Sequence, residues 1–245
     1  MVGQKIDGIK VSNEVKEILK SAIEKLKSEG VVPCLATVLV GDDPASATYV
    51  KNKHNACEKI GIKTKDHKLS ANATQKELDK IIDNLNNDNE VHGILVQLPL
   101  PNQLNEFATI SRISPIKDVD SLTPQNVGLL SIGKSIFRPC TPSGIMEMFY
   151  YYKINLEGKN VVMINRSNLI GKPLYHLLLQ NNATVITCHS KTKNLNKHCK
   201  NADIIITGVG NRAKFKLTSD MIKQDAIVID VAISRHEGKL VGDTD

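Results

Sequence analysis

Three polar side chains early in the chain have the types and spacing for shared chemistry. Ser46, Tyr49 and Lys53 form the pattern S-x-x-Y-x-x-x-K, and on a helix Tyr49 and Lys53, four residues apart, fall on one face. A lysine in a partly buried setting can exchange protons with a reacting centre, and a phenol beside it can donate a hydrogen bond or stack on an aromatic substrate. Pairs at this spacing are also common as exposed amphipathic side chains lying together. Gln97 is a polar residue at the end of an otherwise apolar run, Gly93 to Leu98. In a parallel sheet it would point into the crevice at the strand's carboxyl end. Asp118 and Asp120 flank Val119. In an extended chain they share a face, while a turn or cap is the ordinary alternative.

A second group of residues sits further along. The apolar stretch Val161-Val-Met-Ile164 runs into Asn165-Arg-Ser-Asn-Leu-Ile-Gly171-Lys-Pro173, and an apolar helix follows from Leu174 to Leu179. This is the strand, tight loop and helix of a phosphate site. Backbone N–H groups at the helix start would hold a pyrophosphate, and Gly171 would let the chain approach closely. The three-glycine fingerprint is absent, so the loop alone is a weak signal. One strand later comes Cys188-His-Ser-Lys-Thr192, the position from which a Rossmann fold touches the adenosine ribose. No acidic residue stands there to bond a free 2′-hydroxyl. Ser190 and Lys191, with Arg166 from the first loop, can instead hold a 2′-phosphate by charge-assisted hydrogen bonds, which favours NADP over NAD. Each of these side chains also reads as an ordinary solvated loop residue.

The elements that must position these groups have clear local signals. Val11, Val15, Ile18, Leu19, Ala22, Ile23 and Leu26 keep one helical face, and Gly30 closes that helix. Cys34 to Val40 reads as a short strand buried on both faces. Asp43 followed by Pro44 is a cap with proline in the first turn, opening a helix that stops at Gly61, and Thr74 with Glu77 has the spacing of a capping box. The prolines of Arg138-Pro-Cys-Thr-Pro142 mark a boundary before a helix through Tyr152. Four strand-like runs then follow at helix-length intervals, Asn160–Ile164, Thr184–Cys188, Asp203–Thr207 and Ala226–Asp230. That rhythm predicts an α/β protein of two domains, residues 1–140 and residues 141–245, the second a Rossmann-like doubly wound sheet, with a cleft between the two.

Composition narrows the classes. The chain has 245 residues, 41% of them hydrophobic, enough for one large core or two modest ones. Its 32 basic residues less 26 acidic ones leave +6, spread too evenly to suggest nucleic acid but suited to anionic small molecules. Five cysteines without C-x-x-C spacing imply thiols, with no disulfide and no metal. No signal peptide or membrane-length apolar run is present, so a cytoplasmic setting is expected, with no membrane partner.

Taken together, these segments resemble the methylenetetrahydrofolate dehydrogenase/cyclohydrolase family. The likeness runs through Lys5-Ile-Asp-Gly8, Val40-Gly41, Pro44-Ala-Ser46, Tyr49 with Lys53, and Gly93-Ile-Leu-Val-Gln-Leu-Pro-Leu-Pro101. It continues in Lys117-Asp-Val-Asp120, Asn126-Val-Gly128, Pro139-Cys-Thr-Pro142, Arg166-Ser167 with Gly171 and Pro173, Cys188 to Thr192, and Ile227-Val-Ile-Asp-Val231 to Val241-Gly-Asp243. The resemblance implies oxidation of 5,10-methylenetetrahydrofolate with NADP, then hydrolysis of the methenyl product to 10-formyltetrahydrofolate. It implies Lys53 as the acid/base group with Gln97 bonded to it, Tyr49 stacking on the folate, and Asp120 on the pterin's amino edge. Leu98 and Pro99 would lie on the folate side. Arg166 and Ser190 would meet the 2′-phosphate, with Asn165, Ser167, Gly171, Thr207 and Ile233 as further cofactor contacts. A homodimer is expected on the same ground. A shikimate-type dehydrogenase would explain the Rossmann half but not Gly93 to Pro101, and a non-catalytic folate- or nucleotide-binding relative is the third reading.

Three departures carry expectations of their own. Asn165 stands where the family has glycine, and asparagine is the best substitute if that residue needs positive φ. Ser121 follows Asp120 where the family has glycine, and can stiffen or reshape the turn that presents Asp120. The family continues beyond the position of Asp245 with a Pro-Gly-Gly-Val-Gly-Pro segment and a final helix. The resemblance therefore implies either a chain shorter than the natural product or a protein without part of the cleft wall.

Overall fold

The computed structural model describes residues 3–244. They form two compact units, one of residues up to Leu129 together with Ser135–Phe137, the other of Leu130–Lys134 together with residues from Arg138 onward.

The first unit is built on a three-stranded parallel sheet. Helix α1 (Gly8–Ser28) is capped by the Asp7 carboxylate, which accepts from the N–H groups of Ile9 and Lys10. It precedes β1 (Cys34–Val40), the central strand, which lies between β2 (Lys63–Leu69) and β3 (Gly93–Val96). Helix α2 (Pro44–Ile60) joins β1 to β2. Asp43 caps it by accepting from Ser46 N–H at 2.7 Å, Pro44 sits in its first turn, and Gly61 ends it at φ 86°. Helix α3 (Gln75–Asn87) carries both halves of the Thr74/Glu77 capping box. Its residues Leu78, Ile82 and Leu85 pack with Val38, Ile94 and Val96 in the core. Two short helices, α4 (Glu106–Arg112) and α5 (Pro124–Ser131), follow.

Sequence patterning gives no sign of β2. Its residues, Lys-Thr-Lys-Asp-His-Lys-Leu, are polar because it is an edge strand with none of its residues fully buried, the kind of edge that charge protects from further pairing. β3 is shorter than the apolar run, and Gln97 lies just past it with its N–H donating to Val38 O at 2.9 Å. The Leu98–Pro99 peptide bond is cis. On the other side of β3, Ile94 N–H donates to Lys117 O at 2.7 Å, so the segment leading to Asp118 is pinned beside the sheet. Gly93 is required there, since a Cβ would lie 2.5 Å from Val119 Cγ1.

The second unit opens with α6 (Cys140–Tyr151), whose Phe149 is fully buried. Pro139 occupies its N-cap position and Pro142 lies in its first turn, where the missing N–H has no intrahelical partner to lose. A four-stranded parallel sheet follows, made of β4 (Asn160–Ile164), β5 (Thr184–Cys188), β6 (Ile204–Thr207) and β7 (Ile227–Asp230) in the order β5-β4-β6-β7. Helix α7 (Gly171–Gln180) connects β4 to β5 and buries Leu174, Leu177 and Leu178, and α8 (Leu195–Lys200) connects β5 to β6. A 3-10 turn (Ser219–Met221) precedes β7, and a small antiparallel hairpin, β8 (Ser234–His236) with β9 (Lys239–Val241), ends the unit. Because the chain leaves β4 toward β5 and returns to β6 on the other side, the crossover direction reverses between β4 and β6. That reversal opens the ligand crevice of a doubly wound sheet.

The five cysteines are thiols. Burial pushes Cys188 up and takes Cys199 up to about 11, the latter helped by the neighbouring Cys188, whereas Cys140 is exposed. A thiolate is the species that alkylating reagents attack. Iodoacetamide therefore modifies Cys140 first in the native protein and reaches Cys188 and Cys199 only after unfolding. Peptide mapping of the labelled chain reads this order, and early labelling of Cys199 would contradict the packing described.

Candidate functional site

In the first unit, parallel pairing brings Lys53 and Gln97 together across 44 residues of sequence. Lys53 is half-buried on α2, and its Nζ donates to Gln97 Oε1 at 3.4 Å. The amide is held in that orientation because its other end, Nε2, donates to Leu98 O at 2.8 Å. The contact from Nζ is long for a hydrogen bond, so the lysine head is placed but not clamped. Tyr49, one turn earlier on α2, is 49% exposed and leaves its ring available to a flat partner. Leu98 is half-buried against the core, and Pro99 is exposed beside it.

The sequence gives no warning of what seats α2. His54, adjacent to Lys53, is tied to both neighbouring strands: its Nε2 lies 2.7 Å from Asp66 Oδ1 and 3.1 Å from Thr37 Oγ1, while the Thr37 hydroxyl donates to the same Asp66 oxygen at 2.8 Å. Thr37 and Asp66 converge on one ring nitrogen. A nucleophile relay would need them on opposite nitrogens, so the triangle is a structural anchor that fixes the helix bearing Lys53. Only a tertiary contact map reveals it, since the three residues share no local motif.

Of the two readings of Asp118 and Asp120, the turn is the one found. Residues 118–121 form a turn closed by Ser121 N–H on Asp118 O at 3.2 Å. Asp118 is 1% exposed and accepts from Leu122 N–H at 3.2 Å, Thr123 N–H at 2.8 Å and Asn126 Nδ2 at 2.9 Å. Asp120 is half-buried. Ser121 takes φ 56°, the left-handed conformation that glycine enters freely. Its buried hydroxyl donates to Phe137 O at 3.0 Å, an interaction that offsets the strain. The turn is thus kept, and serine ties it down.

In the second unit the carboxyl ends of all four parallel strands lie along one edge, which gathers the candidate cofactor residues. Asn165 follows β4 without positive φ, contrary to the expectation for a glycine substitute: the non-glycine residues with positive φ among those described are Ser121, Lys153, Asn182, Asn194, Asp225 and Glu237. Asparagine serves here through its side chain. Oδ1 accepts from Ser167 N–H at 2.8 Å and Gly171 N–H at 3.1 Å, and Nδ2 donates to Gly208 O at 2.6 Å.

The first amides of α7 are therefore already engaged. Ile170 N–H donates to Ser167 Oγ at 3.1 Å, and Lys172 N–H to Ser167 O at 3.0 Å. Gly171 is needed because a Cβ would fall on the Asn165 backbone carbonyl. The close approach that the missing side chain permits is to its own chain.

Arg166, Ser167, Ser190 and Lys191 are exposed on the two loops, and no acidic residue lies in 165–171 or 188–193. The two loops fit an anionic dinucleotide: Arg166 and Lys191 supply charge, Ser167 and Ser190 supply hydroxyls, and neither loop holds a carboxylate to repel phosphate. Thr207, expected as a cofactor contact, is fully buried and donates its hydroxyl to Asp243 Oδ2 at 2.6 Å. Asp243, also fully buried, accepts in addition from Val209 N–H at 2.7 Å and Gly210 N–H at 3.1 Å, and so shapes the loop after β6. Ile233, after β7, is 61% exposed and offers an apolar surface at the same edge.

Comparison with known proteins bears on both units. Residues 6–120 match the family model of the tetrahydrofolate dehydrogenase/cyclohydrolase catalytic domain, and residues 139–245 match that of the NAD(P)-binding domain of the same enzymes. The bifunctional protein FolD of Nitrosopumilus maritimus is 70% identical over 245 residues, which is 100% of this chain and 85% of that protein. The crystal structure of the bifunctional FolD dehydrogenase/cyclohydrolase from Campylobacter jejuni is 48% identical, with a TM-score of 0.95 over 98% of this chain and 85% of that one. The Trypanosoma brucei dehydrogenase-cyclohydrolase, solved with NADP and an inhibitor, is 33% identical, with a TM-score of 0.91 over 97% of this chain and 84% of that one.

The Asp118 knot yields a stability prediction. Asp118→Ala leaves the N–H groups of Leu122 and Thr123 without their acceptor and Asn126 Nδ2 with only Pro115 O, and should destabilise the chain by about 3 kcal/mol. Urea unfolding measures it, and a change below about 0.5 kcal/mol would show that the carboxylate does not organise the turn.

Proposed function

The chain belongs to the tetrahydrofolate dehydrogenase/cyclohydrolase family, and on that premise we propose that Lys53 and Gln97 form the proton-handling centre of an enzyme that oxidises 5,10-methylenetetrahydrofolate with NADP and hydrolyses the product to 10-formyltetrahydrofolate. The observation that carries the reading is the contact from Lys53 Nζ to Gln97 Oε1 at the carboxyl end of β3.

Each step asks something different of the protein. In the oxidation a hydride would leave the methylene carbon, driven by the lone pair of the adjacent folate nitrogen, and bound NADP would supply the hydride acceptor. No side chain need take a proton in that step, so the residues act by positioning. Tyr49 stacks on the flat folate, Asp120 accepts hydrogen bonds from the pterin's amino edge, and Leu98 with Pro99 supplies apolar contact. In the hydrolysis water adds to the methenyl carbon. Lys53 takes the proton from that water and returns one to the folate nitrogen as the carbon–nitrogen bond breaks. Gln97 holds Nζ in place meanwhile. A head group bonded at 3.4 Å to one amide oxygen keeps the freedom to follow the proton between two sites.

On the cofactor side, Arg166 and Ser190 would meet the 2′-phosphate, and Ser167 would contact the diphosphate. Asn165, Gly171 and Thr207 shape the loops, with Thr207 acting through Asp243, and Ile233 packs beside the nicotinamide. The absence of a carboxylate in both loops supports NADP over NAD. No helix among the described residues is long and apolar enough to cross a membrane. We place the enzyme in the cytoplasm, a reducing compartment suited to its five thiols, as a homodimer by family resemblance.

Two variants test these roles. Lys53→Met should abolish hydrolysis of added methenyltetrahydrofolate, a drop of at least about 100-fold for loss of a general acid/base, while NADP still binds. Absorbance of the methenyl chromophore follows the reaction, and full hydrolysis in the variant would refute the role. Arg166→Ala should weaken NADP more than NAD by about tenfold, the worth of one charge-assisted hydrogen bond. Equal losses for the two cofactors would mean that Arg166 meets something other than the 2′-phosphate.

A further inference from the structure

We propose that Asn165 is a positioning residue whose carboxamide holds the cofactor loop in its ligand-ready shape before any cofactor arrives. The inference rests on the NADP-binding reading above and deepens it.

Asn165 sits at the reversal between β4 and β6, where a doubly wound sheet binds its ligand. One side chain there makes three bonds to three different segments. Oδ1 accepts from Ser167 N–H at 2.8 Å, within the loop, and from Gly171 N–H at 3.1 Å, at the start of α7. Nδ2 donates to Gly208 O at 2.6 Å, at the end of β6. An oxygen accepting from two convergent amides at a helix start plays the part that an anionic phosphate oxygen plays in a loop of this kind. Here a neutral amide of the protein plays it permanently.

The glycines on either side agree with this arrangement. A Cβ on Gly171 would collide with the Asn165 carbonyl, and one on Gly208 would lie 3.1 Å from Asn165 Nδ2. The backbone is thus fitted closely around the carboxamide.

Two consequences follow. The loop is ordered on folding, so binding need not order it again, and preorganisation of this sort raises affinity. The amides of Ser167 and Gly171 also stay with Asn165, so the cofactor's phosphates are met by exposed side chains such as Arg166 and Ser167.

Amide exchange by NMR, residue by residue, together with NADP titration of the full chain, tests the proposal. In the wild type, the amides of Ser167 and Gly171 should be protected without NADP, and their protection should change little when NADP is added. In Asn165→Ala that protection should vanish without NADP, remain normal through β4 and α7, and be accompanied by about tenfold weaker NADP binding.

Wild-type amides that exchange freely until NADP is added would overturn the proposal. So would an alanine variant that binds NADP as tightly as the wild type. Protection lost throughout β4 and α7 would overturn it in favour of a plain structural role. Failure of the wild type to bind NADP at all would instead defeat the cofactor reading. The exchange pattern without cofactor distinguishes the two failures.

Discussion

Parallel strand pairing is the constraint on which the rest of this molecule depends. A parallel strand must be followed by a crossover, so every strand of a sheet ends at the same edge and every connection starts there. In the first unit β1 and β3 are adjacent. The helix that leaves β1 and the residue that follows β3 must then meet, and Lys53 and Gln97 do so. In the second unit the same rule aligns the residues after β4, β5, β6 and β7. Two groups of side chains, distant in sequence, are assembled by one backbone habit applied twice.

Strand ends gathered at one edge create a second problem, because their loops carry polar groups that packing takes away from water. Three carboxylates solve it. Asp118 serves three donors in the first unit, and Asp243 serves a hydroxyl and two amides in the second. Asp230, at the end of β7, accepts from Ala232 N–H at 3.0 Å and from Thr244 N–H at 2.9 Å. Asp118 and Asp243 are buried and Asp230 is partly so; a carboxylate taken from water is expensive to desolvate and is tolerated when several N–H and O–H groups point at it. Once satisfied, it fixes the course of the loop. Loop shape at both edges is therefore set by residues that need never touch a ligand.

The parts of this design that sequence reveals are those whose causes are local. The Asp43/Pro44 start of α2 and the Thr74/Glu77 box of α3 depend on residues within one turn, and both are read directly. Strands buried on both faces, such as β1, β4 and β6, announce themselves as apolar runs. β2 does not, because an edge strand is free to be polar along most of its length. Ser121 and Asn165 divide along the same line. Both stand where glycine was expected for reasons of backbone freedom, and at Ser121 the positive φ is real. At Asn165 the relevant partner is Gly208, 43 residues away, a contact that no local argument supplies. The His54, Thr37 and Asp66 triangle escapes notice for the same reason.

The two candidate centres also differ in how tightly they are held, and the difference follows from the chemistry. A group that takes a proton from water and delivers it to a folate nitrogen must serve two positions in one turnover. In the role proposed for it, Lys53 would have the means: its helix is anchored by His54, while among the described residues its own head makes a single long contact. Hydride transfer has the opposite need, since its rate depends on distance and alignment between two rings that the protein must hold still. The loops on that side are accordingly tied by short bonds, from Asn165 to Gly208 and from Thr207 to Asp243. On the proposed roles, a firm base beneath a loosely held head suits the hydrolysis, and loops fixed at both ends suit the oxidation.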